Sequence, residues 1–358
     1  MSTAASTSPV TGGVLAVHAH PDDETLATGA LLATWAAAGL PALVVTCTRG
    51  ERGEVIGAAL AHLEGDGAGL AAHRESEVAA ATAALGVEQV FLDTLPPGTP
   101  PPGTRGAAAV GPGASAARYE DSGMAWLGTG RAGSAGSVPP RAFVSVPLDE
   151  AAGRLAALLR ERRPDLVVTY EPGGGYGHPD HVRAHDVTTR AVQLADDVPG
   201  WSPAVAWAVA PAADLRAGYA ALAQDPDVRD LLAAHADDRR GTRESPLALP
   251  DPAGPLPSVA VDGAADLLVD VAPVRDRVLA ALRAHATQVQ AVRPLDQPAA
   301  CACLALSNLV LAPVLPVESY RWAPGGGPSD AVVLPPGARR ATHGGSAGRD
   351  DASAGDVA

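Results

Sequence analysis

The stretch GVLAVHAHPDDETLATGALLATWAAAG, residues 13–39, changes character twice. Residues 13–18 (GVLAVH) are an unbroken apolar run closed by a histidine, which predicts a buried β-strand. From Glu24 onward Ala and Leu dominate up to Gly39, which predicts a helix stopped by a glycine. Between them stand His18, His20, Asp22, Asp23 and Glu24. A polar cluster where a strand ends and a helix begins is where open α/β sheets hold their ligands.

The pattern repeats downstream. PALVVTCT (41–48) reads as a second buried strand, RGERGEVIG (49–57) as a glycine-rich turn, residues 70–85 as a helix and EQVFLD (88–93) as a third strand. Near-continuous apolar strands alternating with helices predict an α/β fold: a Rossmann-like, mostly parallel sheet with helices on both faces. Residues 94–117 are too rich in Pro and Gly to pack as an element and read as a mobile insertion. The alternation resumes with a helix over 147–162 and the strand PDLVVTY (164–170), followed by a second polar cluster, EPGGGYGHPDH (171–181), that leads into another helix. The catalytic-type domain is therefore expected over 13–195, behind a flexible start at 1–12. Residues 196–325, with a helix over 273–289, are expected to add a smaller C-terminal layer that completes the pocket, and 326–358 to be a disordered tail.

Composition narrows the chemistry. The 358 residues are 47% hydrophobic, enough for a substantial core. The formal net charge is −14 and the 26 basic residues are all Arg, which excludes a Schiff-base lysine and a phosphate-loop lysine. An acidic chain without an Arg-rich block argues against nucleic acid and against anionic membrane surfaces as partners. The first residues carry no basic, apolar leader pattern, so a cytoplasmic location is expected. The apolar run CACLALSNLVLAPVLPV (301–317) is too short and interrupted to span a bilayer and reads as core. Cys47, Cys301 and Cys303 lack metal-finger spacing and are expected as reduced core residues.

The candidate metal ligands are His20 and Asp23 from the first cluster and His181 from the second. Two imidazoles and a carboxylate suit one divalent ion, Zn2+ or Fe2+, with a coordination position left open for chemistry. The clusters are far apart in sequence, but each follows a parallel strand, so both emerge at the same carboxyl edge of the sheet. Asp22 adjoins a ligand yet points elsewhere in the turn, which makes it the candidate general base. His178 shares a helix-start face with His181 and is the candidate acid or transition-state cation. Asp180 is placed to orient an imidazole, and Tyr176, on a glycine-flanked loop, to donate its hydroxyl to an oxyanion. Any one of these aspartates alone reads as a helix cap. His18, inside the strand, and His185, assigned to the outer face, are not expected as ligands.

AHPDDE (19–24) together with GHPDH (177–181) resembles the LmbE-like/PIG-L family of metal-dependent N-deacetylases. VVTCTRGERGEVIG (44–57), DSGM (121–124), VVTYEPGGGYGHPDHVRAH (167–185) and RAHATQV (283–289) carry the resemblance further. It implies zinc on His20, Asp23 and His181, a general base at Asp22, a general acid at His178 and an oxyanion tyrosine at Tyr176. It alone also places substrate contacts at Arg74, Asp121, Met124 and Glu54. The branch it favours removes acetate from N-acetylglucosaminyl-inositol, a small glycosyl-inositol, in mycothiol biosynthesis. The sister branch, which cleaves the cysteinyl amide of mycothiol S-conjugates, carries a lysine after the first motif where this chain reads ETLATGALLATW.

Overall fold

A computed structural model describes residues 13–97, 118–128, 131–134, 138–238, 246–327 and 334–341. The first half runs β1 (Val14–His18), α1 (Asp23–Ala37), β2 (Ala42–Thr46), α2 (Gly67–Leu85), β3 (Glu88–Phe91), a small hairpin β4 (Met124–Gly128) and β5 (Arg131–Ser134), α3 (Leu148–Arg162), β6 (Leu166–Tyr170), the single irregular turn α4 (Gly174–Gly177) and α5 (Pro179–Leu194). The second runs β7 (Ala204–Pro211), α6 (Ala212–Gln224), α7 (Pro226–Asp238), β8 (Ala260–Val261), β9 (Leu267–Asp270), α8 (Arg275–Ala284), β10 (Gln290–Gln297), β11 (Ala300–Ala305), β12 (Leu311–Val314), β13 (Val317–Trp322) and β14 (Ala338–Arg340).

The main sheet has the order β14-β9-β13-β7-β6-β1-β2-β3, with β8 beside β7. Strands β7, β6, β1, β2 and β3 are parallel. The apolar strands are continuous because alternate residues feed two cores. Val14, Ala16, Val44 and Val168 face α1, α2 and α8 on one side. Leu15, Val17, Leu43, Val45 and Val167 face α3 and α5 on the other. The chain therefore reverses direction about β1, with β2 on one side and β6 on the other, and a cleft opens at the carboxyl ends of these strands.

The boundary expected at residue 195 does not separate two layers. Beyond it β7 joins the parallel sheet, and β13, β9 and β14 extend it antiparallel. A smaller layer is present as well: α6 and α7 pack on the three-stranded sheet β10–β12 around Leu222, Val228, Leu295, Cys303 and Leu311. The tail is corrected at β14, where residues 338–340 pair with β9. Cys47, Cys301 and Cys303 are free and buried, as expected. The expected insertion lies outside the described residues from 98 onward, as do 1–12 and 342–358. Among the described residues no helix is long and apolar enough to cross a membrane.

Helix α1 is bent. Thr28 leaves helical geometry at φ −142° and ψ 16°. The break is met from outside by Glu318 of β13, whose half-buried carboxylate accepts the Ala30 and Leu31 N–H groups at 2.7 and 2.8 Å. Tyr320 Oη donates to the same carboxylate at 2.7 Å. Glu318 thus takes the place of a cap for the second half of α1.

Candidate active site

The first cluster turns sharply between β1 and α1. Asp22 sits at φ 115° and ψ −36°, a conformation that non-glycine residues adopt only when their surroundings hold them there. That turn sends Asp22 and Asp23 in different directions. Asp23 Oδ2 accepts the His20 N–H at 3.0 Å and lies 3.3 Å from both His20 Nδ1 and His181 Nε2. His20 Nδ1 and His181 Nε2 are themselves 3.3 Å apart.

Three donors with equal edges suit one shared ion. Ligands held at about 2.0–2.1 Å around a tetrahedral centre are separated by roughly 3.3–3.4 Å. The far side of each imidazole agrees. His181 Nδ1 lies 3.1 Å from the Gly174 carbonyl, which can only accept, so that nitrogen carries the proton and Nε2 keeps its lone pair. His20 Nε2 faces Asp180 Oδ2 at 3.3 Å and Asp121 Oδ1 at 3.6 Å, which leaves Nδ1 as its donor atom. Burial disfavours a charged His20, yet the Asp121, Asp180 and Asp23 carboxylates outweigh it and hold its pKa well above the ordinary value. With Asp22, Asp23, Asp121 and Asp180 all buried around it, the site attracts positive charge.

Two other buried sets share His20: His178 with His181, and Asp121 with Asp180. The second is already engaged. Asp180 accepts Ser122 N–H at 2.9 Å and the Ser122 hydroxyl, and Asp121 accepts Gly123 N–H at 2.8 Å. Asp180 therefore ties both clusters to the DSGM segment and meets the His20 ring. In the first set, His178 Nδ1 accepts the Asp180 N–H at 3.1 Å and caps α5, so the ring is neutral with its proton on Nε2. Burial, reinforced by the neighbouring His20 and His181, pushes His178 down to about 2. With Nδ1 accepting the Asp180 N–H, His178 presents an Nε2–H donor toward the cleft it lines.

Asp22 stands beside the donor triangle. Burial, helped by Asp23 and opposed by the Arg74 guanidinium, pushes it up to about 7. Tyr176 rises from α4 with its ring centre 5.0 Å from that of His181 and 6.1 Å from that of His178.

The four residues assigned by resemblance to substrate all reach the same cleft, of about 550 Å³. Asp121 and Arg74 are buried in its wall, Met124 is half-buried and Glu54 is exposed at the rim. Arg74 does more than line it: its guanidinium donates to the Gly50 and Pro21 carbonyls and stands 3.5 Å from Asp22 Oδ1. The opposite wall comes from the second half of the chain, with Tyr219, Leu249, Pro257, Gln288, Ser307 and Asn308.

Several supporting residues escaped the sequence reading. Tyr170 ends β6, accepts the Ala19 N–H at 2.9 Å and stacks on His181 at 4.2 Å between ring centres. His185 is not on the outer face: it is buried, with Nδ1 2.9 Å from the Tyr170 carbonyl and its ring against Trp207. A position four residues past His181 shares its helix face, so the signal was there. His18 Nε2 meets Thr28 Oγ1 at 2.9 Å.

Gly174 sets the distance between α4 and α5. It sits at φ 68°, and a Cβ there would lie 2.8 Å from Val182 N and 2.9 Å from His181 Cβ. Gly174→Ala is therefore expected to push His181 off its carbonyl and to weaken metal affinity by about tenfold or more. Isothermal titration of the metal-free protein checks this; unchanged affinity would mean that the loop relaxes without moving the imidazole.

The family model described as "PIG-L: GlcNAc-PI de-N-acetylase" matches residues 15–192, which include both clusters. The 1D-myo-inositol 2-acetamido-2-deoxy-alpha-D-glucopyranoside deacetylase of Kineococcus radiotolerans is 45% identical over 89% of this chain and 80% of its own length. The enzymes of that name from Rhodococcus erythropolis and Nocardia farcinica are 40% and 42% identical, each over 87% of this chain and 91% and 90% of their own. With relatives this similar over most of both chains, and with the family's motifs brought together at one cleft, the chain belongs to the PIG-L family of de-N-acetylases.

Proposed function

We infer that this protein removes the acetyl group from N-acetylglucosaminyl-inositol, giving glucosaminyl-inositol and acetate, with Zn2+ held by His20, Asp23 and His181. The observation that carries the reading is the triangle of those three donor atoms, 3.3 Å on each edge, with the Asp22 carboxyl beside it. The substrate follows from relatives at 38–45% identity named for that glycosyl-inositol.

Bound by His20, Asp23 and His181, the ion would supply Lewis acidity to the attacking water and the amide carbonyl. Asp22 takes a proton from that water, a role suited to a carboxyl pushed up to about 7. The water oxygen adds to the acetyl carbon, and charge gathers on the former carbonyl oxygen. The Tyr176 hydroxyl donates to that oxygen. His178 presents Nε2–H as a second donor. As the C–N bond breaks, the proton held by Asp22 passes to the amine nitrogen. One carboxyl so carries the proton both ways, while His178 remains neutral. Asp121, Arg74, Met124 and Glu54 border the space for the sugar and inositol. A chain of net charge −14 with a small-molecule cleft fits a cytoplasmic enzyme on a glycosyl-inositol better than one on nucleic acid or a membrane.

The test is release of acetate and free amine from N-acetylglucosaminyl-inositol and from a mycothiol S-conjugate, side by side, by metal-loaded and chelated protein. Faster, chelator-sensitive release from the first substrate is expected. Preference for the second would make the protein the sister amidase.

A further inference from the structure

The motif RAHATQV (283–289) has no part in the reaction just described, yet it leads under the first cluster. It follows α8, and Glu77 of α2 fastens it by accepting the Thr287 N–H and hydroxyl at 2.8 and 2.6 Å. That anchorage puts His285 Nε2 2.7 Å from Glu24 Oε1, with both side chains wholly buried. Thr25 Oγ1 donates to the same oxygen at 2.6 Å. Glu24 Oε2, in turn, accepts the Asp22 N–H at 3.0 Å.

That last contact falls on the residue with the most demanding backbone in the site. Asp22, at φ 115°, is gripped on three sides. Its carbonyl accepts the Thr25 and Leu26 N–H groups, Arg74 holds the preceding Pro21 carbonyl, and Glu24 holds its own N–H. Releasing the N–H lets φ relax toward negative values, a rotation about N–Cα that carries the side chain away from its place beside the donor triangle. His285 touches no part of the cleft: its Nε2 meets Glu24, and its Nδ1 is buried with no partner among the described residues.

We propose that Glu24 and His285 are a positioning pair that keeps Asp22 in its left-handed turn, so that the end of α8 governs the placement of the proton-carrying carboxyl. This rests on the assignment of Asp22 above. Neither residue touches substrate; both act through Asp22.

The experiment is a double-mutant cycle on the metal-loaded full chain with N-acetylglucosaminyl-inositol. Glu24→Ala and His285→Ala are each expected to lower kcat about 10- to 100-fold, with KM and bound metal within about twofold of the parent. Glu24→Gln keeps an oxygen for the Asp22 N–H and is expected to restore most of kcat, which a simple loss of packing would not predict. In the Asp22→Asn background, Glu24→Ala or His285→Ala should cost less than about a further twofold. Equal losses in both backgrounds, loss of metal in step with kcat, or parental kcat in both alanine variants would overturn the pair. If Asp22→Asn itself stays active, the assignment of Asp22 fails instead, and that outcome is read separately. Should Glu24→Ala not fold, His285→Ala and Glu24→Gln complete the cycle.

Discussion

Asp22→Asn is expected to lower kcat by about three orders of magnitude while the protein keeps its metal. Asparagine has the same shape and fits the same turn, but it cannot take a proton from water. Asp22 is not one of the three mutually close donors, so metal content, read by elemental analysis of the purified variant, should match the parent. KM should move little, since the cleft wall is unchanged. A variant that kept most of its turnover would remove Asp22 from proton transfer, and one that lost metal would show the triangle to be wrongly drawn.

His181→Ala should abolish both metal retention and turnover, whereas His185→Ala should spare both. The two histidines share a face of α5 and are both buried, so a purely structural account predicts similar damage. Their partners differ. His181 gives Nε2 to the triangle and rests between the Gly174 carbonyl and the Tyr170 ring, while His185 meets only the back of Tyr170 and Trp207. Losing His185 leaves a cavity and costs about 2–4 kcal/mol of stability. Thermal melting together with metal analysis separates the cases; metal retained by His181→Ala would sink the proposed ligand set.

The sequence was most readable where local pattern and tertiary role coincide. β1, β2 and β6 are apolar runs buried on both faces, whereas β3 is a half-exposed edge strand, and the helices after β1 and β2 end within two residues of Gly39 and Gly86. Both polar clusters sit at strand ends, so the candidate ligands could be named without coordinates. Beyond residue 195 local and global signals part. AVAWAVAP (204–211) is a parallel strand, but its closing proline and its distance in sequence from its neighbours obscure that. VESYRW (317–322) alternates like a half-exposed edge strand, although Tyr320 is fully buried. Arg74 was placed at the cleft by resemblance alone, because nothing in its own helix shows that two backbone carbonyls of other loops await it. Glu24 and His285 are 261 positions apart, so neither alone says that it is half of a pair.

The bend in α1 bears on how the chain matures. Its second half is completed by Glu318, 288 positions later than Ala30. A ribosome must add 288 further residues after Ala30 before that carboxylate exists to dock. Early collapse can form β1 and β2, but the helix that begins at Asp23 reaches its final course only when β13 arrives. Contacts of such sequence separation slow the search and favour a late, concerted closing step over sequential maturation of halves.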